Sequence, residues 1–277
     1  MSANFDSRLE EVEISLLLEG VFRRYGYDFR DYAPASLKRR IWKHIRAEQL
    51  TTVSGLQERV LHDPSCMERF LLNVSVDVSD MFRDPDFYRS FREQVVPLLR
   101  SYPFLRMWHA GCAAGEEVYS MAILLNEEGL LERTRLYATD MNEVGLRTAR
   151  DGIFPIDAIQ RYTSNYLKAG GTRSLSEYYA ARYGNIIFLP QLRQKITWAH
   201  HNLVTDVSFN EFHVIICRNV MIYFNQSLQN RVHKLLYESL TMSGLLGLGS
   251  KESLSFTPYE SCYEALDSAQ RLYRKVR

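Results

Sequence analysis

The chain has 277 residues, of which 46% are hydrophobic and 24% charged, enough for one large domain or two modest ones with a sizeable core. Its 34 Lys and Arg nearly cancel 33 Asp and Glu, and a net charge of +1 argues against whole-surface binding to nucleic acid. No stretch approaches the roughly 18 apolar residues of a membrane span, and the acidic start MSANFDSRLEEVE does not suit a secretory signal.

The first 75 or so residues read as helical. Leu16, Leu17 and Phe22 suit a first amphipathic helix, which YGYD at 25–28 breaks. Pro34 and Ser36 then open a second helix, SLKRRIWKHIRAEQL, with Leu37, Ile41 and Ile45 on one face. Lys38, Arg39, Arg40, Lys43 and Arg46 occupy its other faces. The segment His62-Asp63-Pro64-Ser65 marks another helix start, followed by Met67, Phe70 and Leu71. A small all-α N-terminal domain over 1–75 is expected, then a linker over 76–90.

From Phe104 the pattern changes. FLRMWHAGCAAGEEVYSMAILLNEEG reads as strand, glycine-bearing turn and helix. Leu136 to Thr139 form a short strand ending at Asp140, and NEVGLRTARDGIF supplies the next helix. EFHVIICRNV, SGLLGLGSKE and QRLYRKVR read as further strands, with the amphipathic helix QSLQNRVHKLLYESL among them. Strands alternating with helices predict a doubly wound parallel sheet over 91–277. Between Phe154 and His200 the alternation fails. Gly170-Gly171, the polar run TRSLSEYY and the pieces NIIFL and KITWA predict an inserted small antiparallel β subdomain at about 155–199.

In such sheets ligands bind beyond the carboxyl ends of the strands. The residues placed there are Gly111 to Glu117, Asp140, His201-Asn202-Leu203 and Arg218-Asn219. The first turn has one GxxxG and lacks GxGxxG, so the dinucleotide fingerprint is absent. Glu116 and Glu117 follow where a diphosphate would otherwise meet the helix N-terminus, and they suit a ligand bearing an ammonium group. They would also complement the helix dipole with no ligand at all. Asp140 is placed to accept hydrogen bonds from ribose hydroxyls, although a lone strand-end aspartate is more often a helix cap. Together these features fit a phosphate-free nucleoside with an amino-acid tail, S-adenosylmethionine.

The strings SVDVSDMFRDPDFY, WHAGCAAGEEVYSMAILL, YATD, HHNLV and ICRNVMIYF occur in this order over 75–224. They resemble the motifs of the chemoreceptor glutamate O-methyltransferases, the CheR family, and the helical start resembles that family's N-terminal domain. The resemblance implies a Rossmann-like class I methyltransferase that uses S-adenosylmethionine and releases S-adenosylhomocysteine. Ser79 and Arg83 are similar to a linker hydroxyl and arginine that the family brings over the cofactor. Glu117 and Asp140 would meet its amino-acid tail and ribose, with Gly111 beside them. Asn202 and Leu203 would flank the adenine, Arg218 and Asn219 the region nearest the sulfonium, and Tyr223 the methyl group. Asp77 stands where the family usually has Asn, losing two donors, and Ser79 where it has Thr. Arg83 and Tyr223 are the expected catalytic residues, and the basic helix face is expected to dock on chemoreceptor cytoplasmic helical bundles. A solvated face is the other reading of those charges, and a helix cap or a pairing with Asp206 the other reading of Arg218.

A cytoplasmic monomer is expected, without nucleic acid or membrane insertion. Cys66, Cys112, Cys217 and Cys262 show no CxxC spacing, which points to a reduced protein without disulfides or a metal. His109 reads as structural. Two other readings stand beside the leading one. One is a methyltransferase acting on another protein or a small carboxylate. The other is a non-catalytic module that binds S-adenosylmethionine or its demethylated product.

Overall fold

The computed structural model describes residues 2–74 and 79–277, with side chains from residue 8 onward in the first helix. The chain forms two units, one of Met1–Val76 with Tyr223–Gln229, the other of Asp77–Ile222 with Asn230–Arg277.

The first unit holds four helices, α1 Ser2–Tyr25, α2 Pro34–Ala47, α3 Val53–His62 and α4 Pro64–Val74. Pro34 opens α2 at a position where a helix lacks a partner for the missing N–H anyway, and Leu37, Ile41 and Ile45 are buried in register. Helix α3 lies within the region expected to be helical, although its start was not marked. Its start is a Thr52 side chain accepting the Gly55 N–H at 3.0 Å, but Gly55 in the first turn weakens the local signal. Asp63 performs a similar service for Ser65 at 2.9 Å ahead of α4. Phe29 meets Phe70 edge-on at 6.3 Å in the core of this unit. His44 is buried there, with Cys66 Sγ and Glu48 Oε1 each 3.9 Å from its Nε2. Arg69 and Arg59 already hold Glu48 at 2.6 and 3.2 Å, so this cluster is a charge-paired packing feature.

In the second unit the elements run in chain order: α5 Pro85–Ser90, a π-helical turn Phe91–Val95, α6 Val96–Leu99, β1 Leu105–Ala110, α7 Glu116–Glu127, β2 Thr134–Asp140 and α8 Glu143–Asp151. Next come β3 Ile153–Pro155, α9 Ile159–Lys168, β4 Tyr179–Arg182, β5 Asn185–Phe188, α10 Pro190–Arg193, β6 Ile196–His200 and β7 Phe212–Cys217. The rest is α11 Gln226–Ser239, β8 Leu240–Leu248, β9 Tyr263–Asp267 and β10 Leu272–Lys275. The main sheet has the order β6-β2-β1-β7-β8-β10-β9. Its first five strands are parallel; β10 then pairs antiparallel with β8, and β9 antiparallel with β10. The doubly wound expectation is therefore borne out, with an antiparallel edge added. Met107, Trp108, Ile215 and Ile216 are all within 1% of full burial, as a sheet covered on both faces requires. Each such side chain contributes roughly 1.5–3 kcal/mol by leaving water.

The inserted antiparallel sheet is also present, in the order β3-β5-β4. One expected member is absent from it. Ile196–His200, the KITWA piece, pairs in parallel with β2 from Leu136↔Ile196 to Asp140↔His200 and forms the edge of the main sheet. Alternating burial is the same in either sheet, so the local pattern does not select between them.

His233 on α11 is 2% exposed, and burial depresses its pKa from 6.5 to about 4, a bond to the Ser253 backbone offsetting only part of this. A histidine held neutral in the fold contributes fully above the unfolded value near 6.5, and the contribution drains away as pH falls toward 4. The loss should reach roughly 3 kcal/mol. A His233→Leu chain should therefore show a flatter melting temperature than wild type between about pH 7 and 4.5. Parallel curves for the two proteins would remove the assignment.

Candidate active site at the carboxyl edge of the sheet

After β1 the chain moves outward to β2 and β6, then returns to β7 on the other side of β1. The carboxyl ends of β1 and β7 thus flank the topological switch point, where a crevice opens in doubly wound folds. The turn after β1 is left-handed three times, at Gly111 (φ 79°), Ala113 (φ 49°) and Gly115 (φ 97°). A Cβ on Gly111 would come within 2.5 Å of Val220, and one on Gly115 within 2.8 Å of Ala149. Only glycine permits so tight a turn with neighbours this close.

Asp140 closes β2. Its Oδ2 accepts the Ala113 N–H at 2.9 Å and its Oδ1 the Asn142 N–H at 2.8 Å. Burial pushes its carboxyl above the ordinary aspartate value, and these backbone donors pull part of the way back. The His201 N–H donates to the Asp140 carbonyl at 3.2 Å, bringing the end of β6 alongside. There Asn202 is buried, its Oδ1 accepting from Val204 and its N–H donating to Asp206, each at 2.9 Å; Leu203 is buried next to it.

At the end of β7, Arg218 carries a side chain only 2% exposed. Its Nη2 donates to Asp84 at 2.8 Å and its Nη1 to Glu117 at 3.2 Å, while both reach the Arg83 carbonyl at 3.4 Å. The guanidinium also lies 4.0 Å from the Phe87 ring centre. Glu117 uses its other oxygen to accept from Nδ1 of the wholly buried His109 at 3.0 Å. Burial would raise the Glu117 carboxyl, but the His109 bond and the Arg218 charge outweigh it and hold it below the usual range. Glu117, expected at an amino-acid tail, is thus already engaged at both oxygens. The Asp206 alternative for Arg218 does not occur, because Asp206 is held by Asn202 and Thr205 at 2.9 Å each. His109 does more than fill space, since it fixes a site glutamate.

Two residues escaped sequence reading. Asp84 stands in the quoted FRD string beside Arg83, in a left-handed conformation (φ 57°) just before Pro85. Glu252, in KESL after β8, accepts four backbone N–H groups, from Gly249, Asn219, Val220 and Met221. The signal for Asp84 was its place in a motif; for Glu252 there was no local signal.

Among the remaining expected residues, Ser79 is half-buried in the second unit and Asp77 lies outside the described residues. Arg83 is half-buried and offers its carbonyl to Arg218. Tyr223 belongs to the helical unit, where its carbonyl accepts the Ala33 N–H at 2.8 Å and the Arg40 guanidinium lies 4.4 Å from its ring centre. Arg40 is thereby withdrawn from the basic face on which it was expected. Lys38 is paired with Glu10 at 2.5 Å. Arg39, Lys43 and Arg46 remain exposed on one helix face and form no ion pair among the described residues.

A glycine-bearing first turn that a Cβ would block, a buried strand-end aspartate, and an acidic helix start fit a phosphate-free nucleoside cofactor. The class these features define is the S-adenosylmethionine-dependent methyltransferase of the doubly wound type. Family comparison agrees and narrows it: residues 77–267 match the CheR methyltransferase SAM binding domain and residues 13–75 the CheR methyltransferase all-alpha domain. The chain belongs to the CheR methyltransferase family. It is 51% identical to the Cher3 protein of Pseudomonas putida over 97% of this chain and 98% of that one. A chemotaxis protein methyltransferase of Listeria monocytogenes is 28% identical, with 84% of this chain and 87% of that one covered. The chemotaxis protein methyltransferase Cher2 of Pseudomonas putida is 26% identical, with 79% and 82% covered.

Proposed function

We propose that this methyltransferase esterifies glutamate side chains on the cytoplasmic helical bundles of chemoreceptors. The observation that carries the choice of substrate is the exposed triad Arg39, Lys43 and Arg46, a cationic face suited to an acidic helical partner. Relatives named for chemotaxis support it.

Bound S-adenosylmethionine supplies a methyl group activated by its sulfonium. Asp140 would accept the ribose hydroxyls, the Gly111 turn would let the backbone approach, and Asn202 and Leu203 would flank the adenine. Arg218 and Asn219 would line the side nearest the sulfonium, and Ser79 would add a hydroxyl. A glutamate carboxylate is already ionised near neutral pH, so the chain has no proton to remove. Its task is to orient the nucleophile and strip water from it. In this reading the Arg83 side chain pairs with the substrate carboxylate. The protein works as a cytoplasmic monomer, and no described helix is long and apolar enough to cross a membrane.

Purified chain incubated with S-adenosylmethionine and receptor cytoplasmic fragments should place base-labile methyl esters on glutamates. Absence of ester from receptor fragments, with normal cofactor binding, would sink the substrate assignment and leave the other protein, the small carboxylate or the binding module. Changing Arg39, Lys43 and Arg46 together to Glu should raise KM for the fragment about tenfold or more, since each reversed surface charge is worth up to about 1 kcal/mol. The affinity for S-adenosylhomocysteine should stay unchanged, and an unmoved KM would eliminate the docking face.

A further inference from the structure

We infer that Glu252 is a positioning residue for the cofactor-binding loop that follows β7. Its carboxylate is 4% exposed and receives four backbone N–H groups: Gly249 at 2.7 Å and Asn219 at 2.9 Å on Oε2, Val220 at 2.8 Å and Met221 at 2.7 Å on Oε1. It forms no salt bridge among the described residues, so dipoles alone hold a buried carboxylate.

Three of these donors are consecutive and belong to the loop that carries Arg218 and Asn219. Asn219 sits in the left-handed region at φ 62°, a conformation that asparagine tolerates but that is held only when the surroundings insist on it. Gly249 lets the two segments close: a Cβ there would lie 2.8 Å from the Asn219 nitrogen and 2.6 Å from Glu252 Oε2. On the other side, the Arg218 side chain is tied to Asp84 and Glu117. The loop is therefore gripped between two anionic anchors, one on its backbone and one on its arginine. Glu252 sets the backbone and through it the aim of Asn219; it acts through the loop and does not itself touch the cofactor.

Gln at this position has nearly the same shape but only one acceptor oxygen. Whichever way the amide turns, two of the four N–H groups face an NH₂ donor. Calorimetry with S-adenosylhomocysteine on the full chain should show Glu252→Gln binding about tenfold or more weakly than wild type. The comparison protein is Glu127→Gln, which disturbs another buried carboxylate, held by Arg92 and Tyr178 in a network away from this loop. It should melt lower while binding within about twofold of wild type. Glu252→Gln binding within twofold of wild type would overturn the inference and leave Glu252 a stabilising residue only. Should Glu252→Gln fail to fold, hydrogen exchange of wild type decides. Amides 219–221 should be protected and gain at least tenfold further protection on adding S-adenosylhomocysteine, and protection indifferent to the ligand would overturn it. The inference rests on Arg218 and Asn219 lying at the cofactor. Binding of S-adenosylhomocysteine to wild type tests cofactor binding by itself, so the two failures are distinguishable.

Discussion

Asp140→Ala should lower affinity for S-adenosylhomocysteine by about a hundredfold or more, the equivalent of two charge-assisted hydrogen bonds at roughly 1.5 kcal/mol each. The carboxylate is fixed by the Ala113 and Asn142 N–H groups, so its orientation is set before any ligand arrives. Asp140→Asn should fall between the two, because its amide keeps one acceptor. The pH dependence has a definite sign. Burial raises the Asp140 carboxyl above 3.8, and only the ionised form accepts from two hydroxyls. Affinity should therefore begin to fall on acidification at a higher pH than an ordinary aspartate would impose. Calorimetry across that range checks both statements, and an Asp140→Ala chain that binds within threefold of wild type would remove Asp140 from the site.

The second large effect belongs to Arg218. Deleting a buried cation between two carboxylates leaves anions without a counter-charge, and Arg218→Ala should cost about 3–5 kcal/mol in urea unfolding. Lys in its place should recover only part, since a compact ammonium lacks the two separated donors that reach Asp84 at 2.8 Å and Glu117 at 3.2 Å. Glu117 adds a pH signature. Its folded pKa is depressed, so the stability it brings is present above the unfolded value of 4.5 and is lost as pH falls below it. The gap between wild type and Arg218→Ala should accordingly narrow under acid conditions. A loss smaller than about 1 kcal/mol at neutral pH would mean that the triad is not an energetic unit.

The parallel strands were legible because burial on both faces writes an unbroken apolar run, as in Val214 to Cys217. The residues just beyond those runs could then be placed at the carboxyl edge by topology alone. Partnerships were another matter. Arg218 reaches Asp84 across 134 positions, and no periodicity encodes that pairing. The nearby acid, Asp206, was the local alternative, yet it folds back on its own turn. Glu252 passed as the end of the strand string SGLLGLGSKE, because backbone N–H groups, its four partners, are the same at every position of any sequence. Ile196–His200 misled for a different reason: an edge strand with mixed burial carries no label for the sheet it joins. The start of helix α3 carried a weak signal because Gly55 masks a threonine cap.

The short run Tyr223–Gln229 follows the strand-end loop in sequence but clusters with the helices of the first unit, where Phe224 meets the Tyr32 ring at 5.0 Å and Asn225 bonds to Asp31 at 3.0 Å. The helical unit is consequently not a removable cassette. Trimming the gene to begin after residue 76 would leave Phe224 without the Tyr32 ring, and the leading fragment alone would want its seven-residue plug. Recombination that swaps one such head for another must carry both pieces of the chain together.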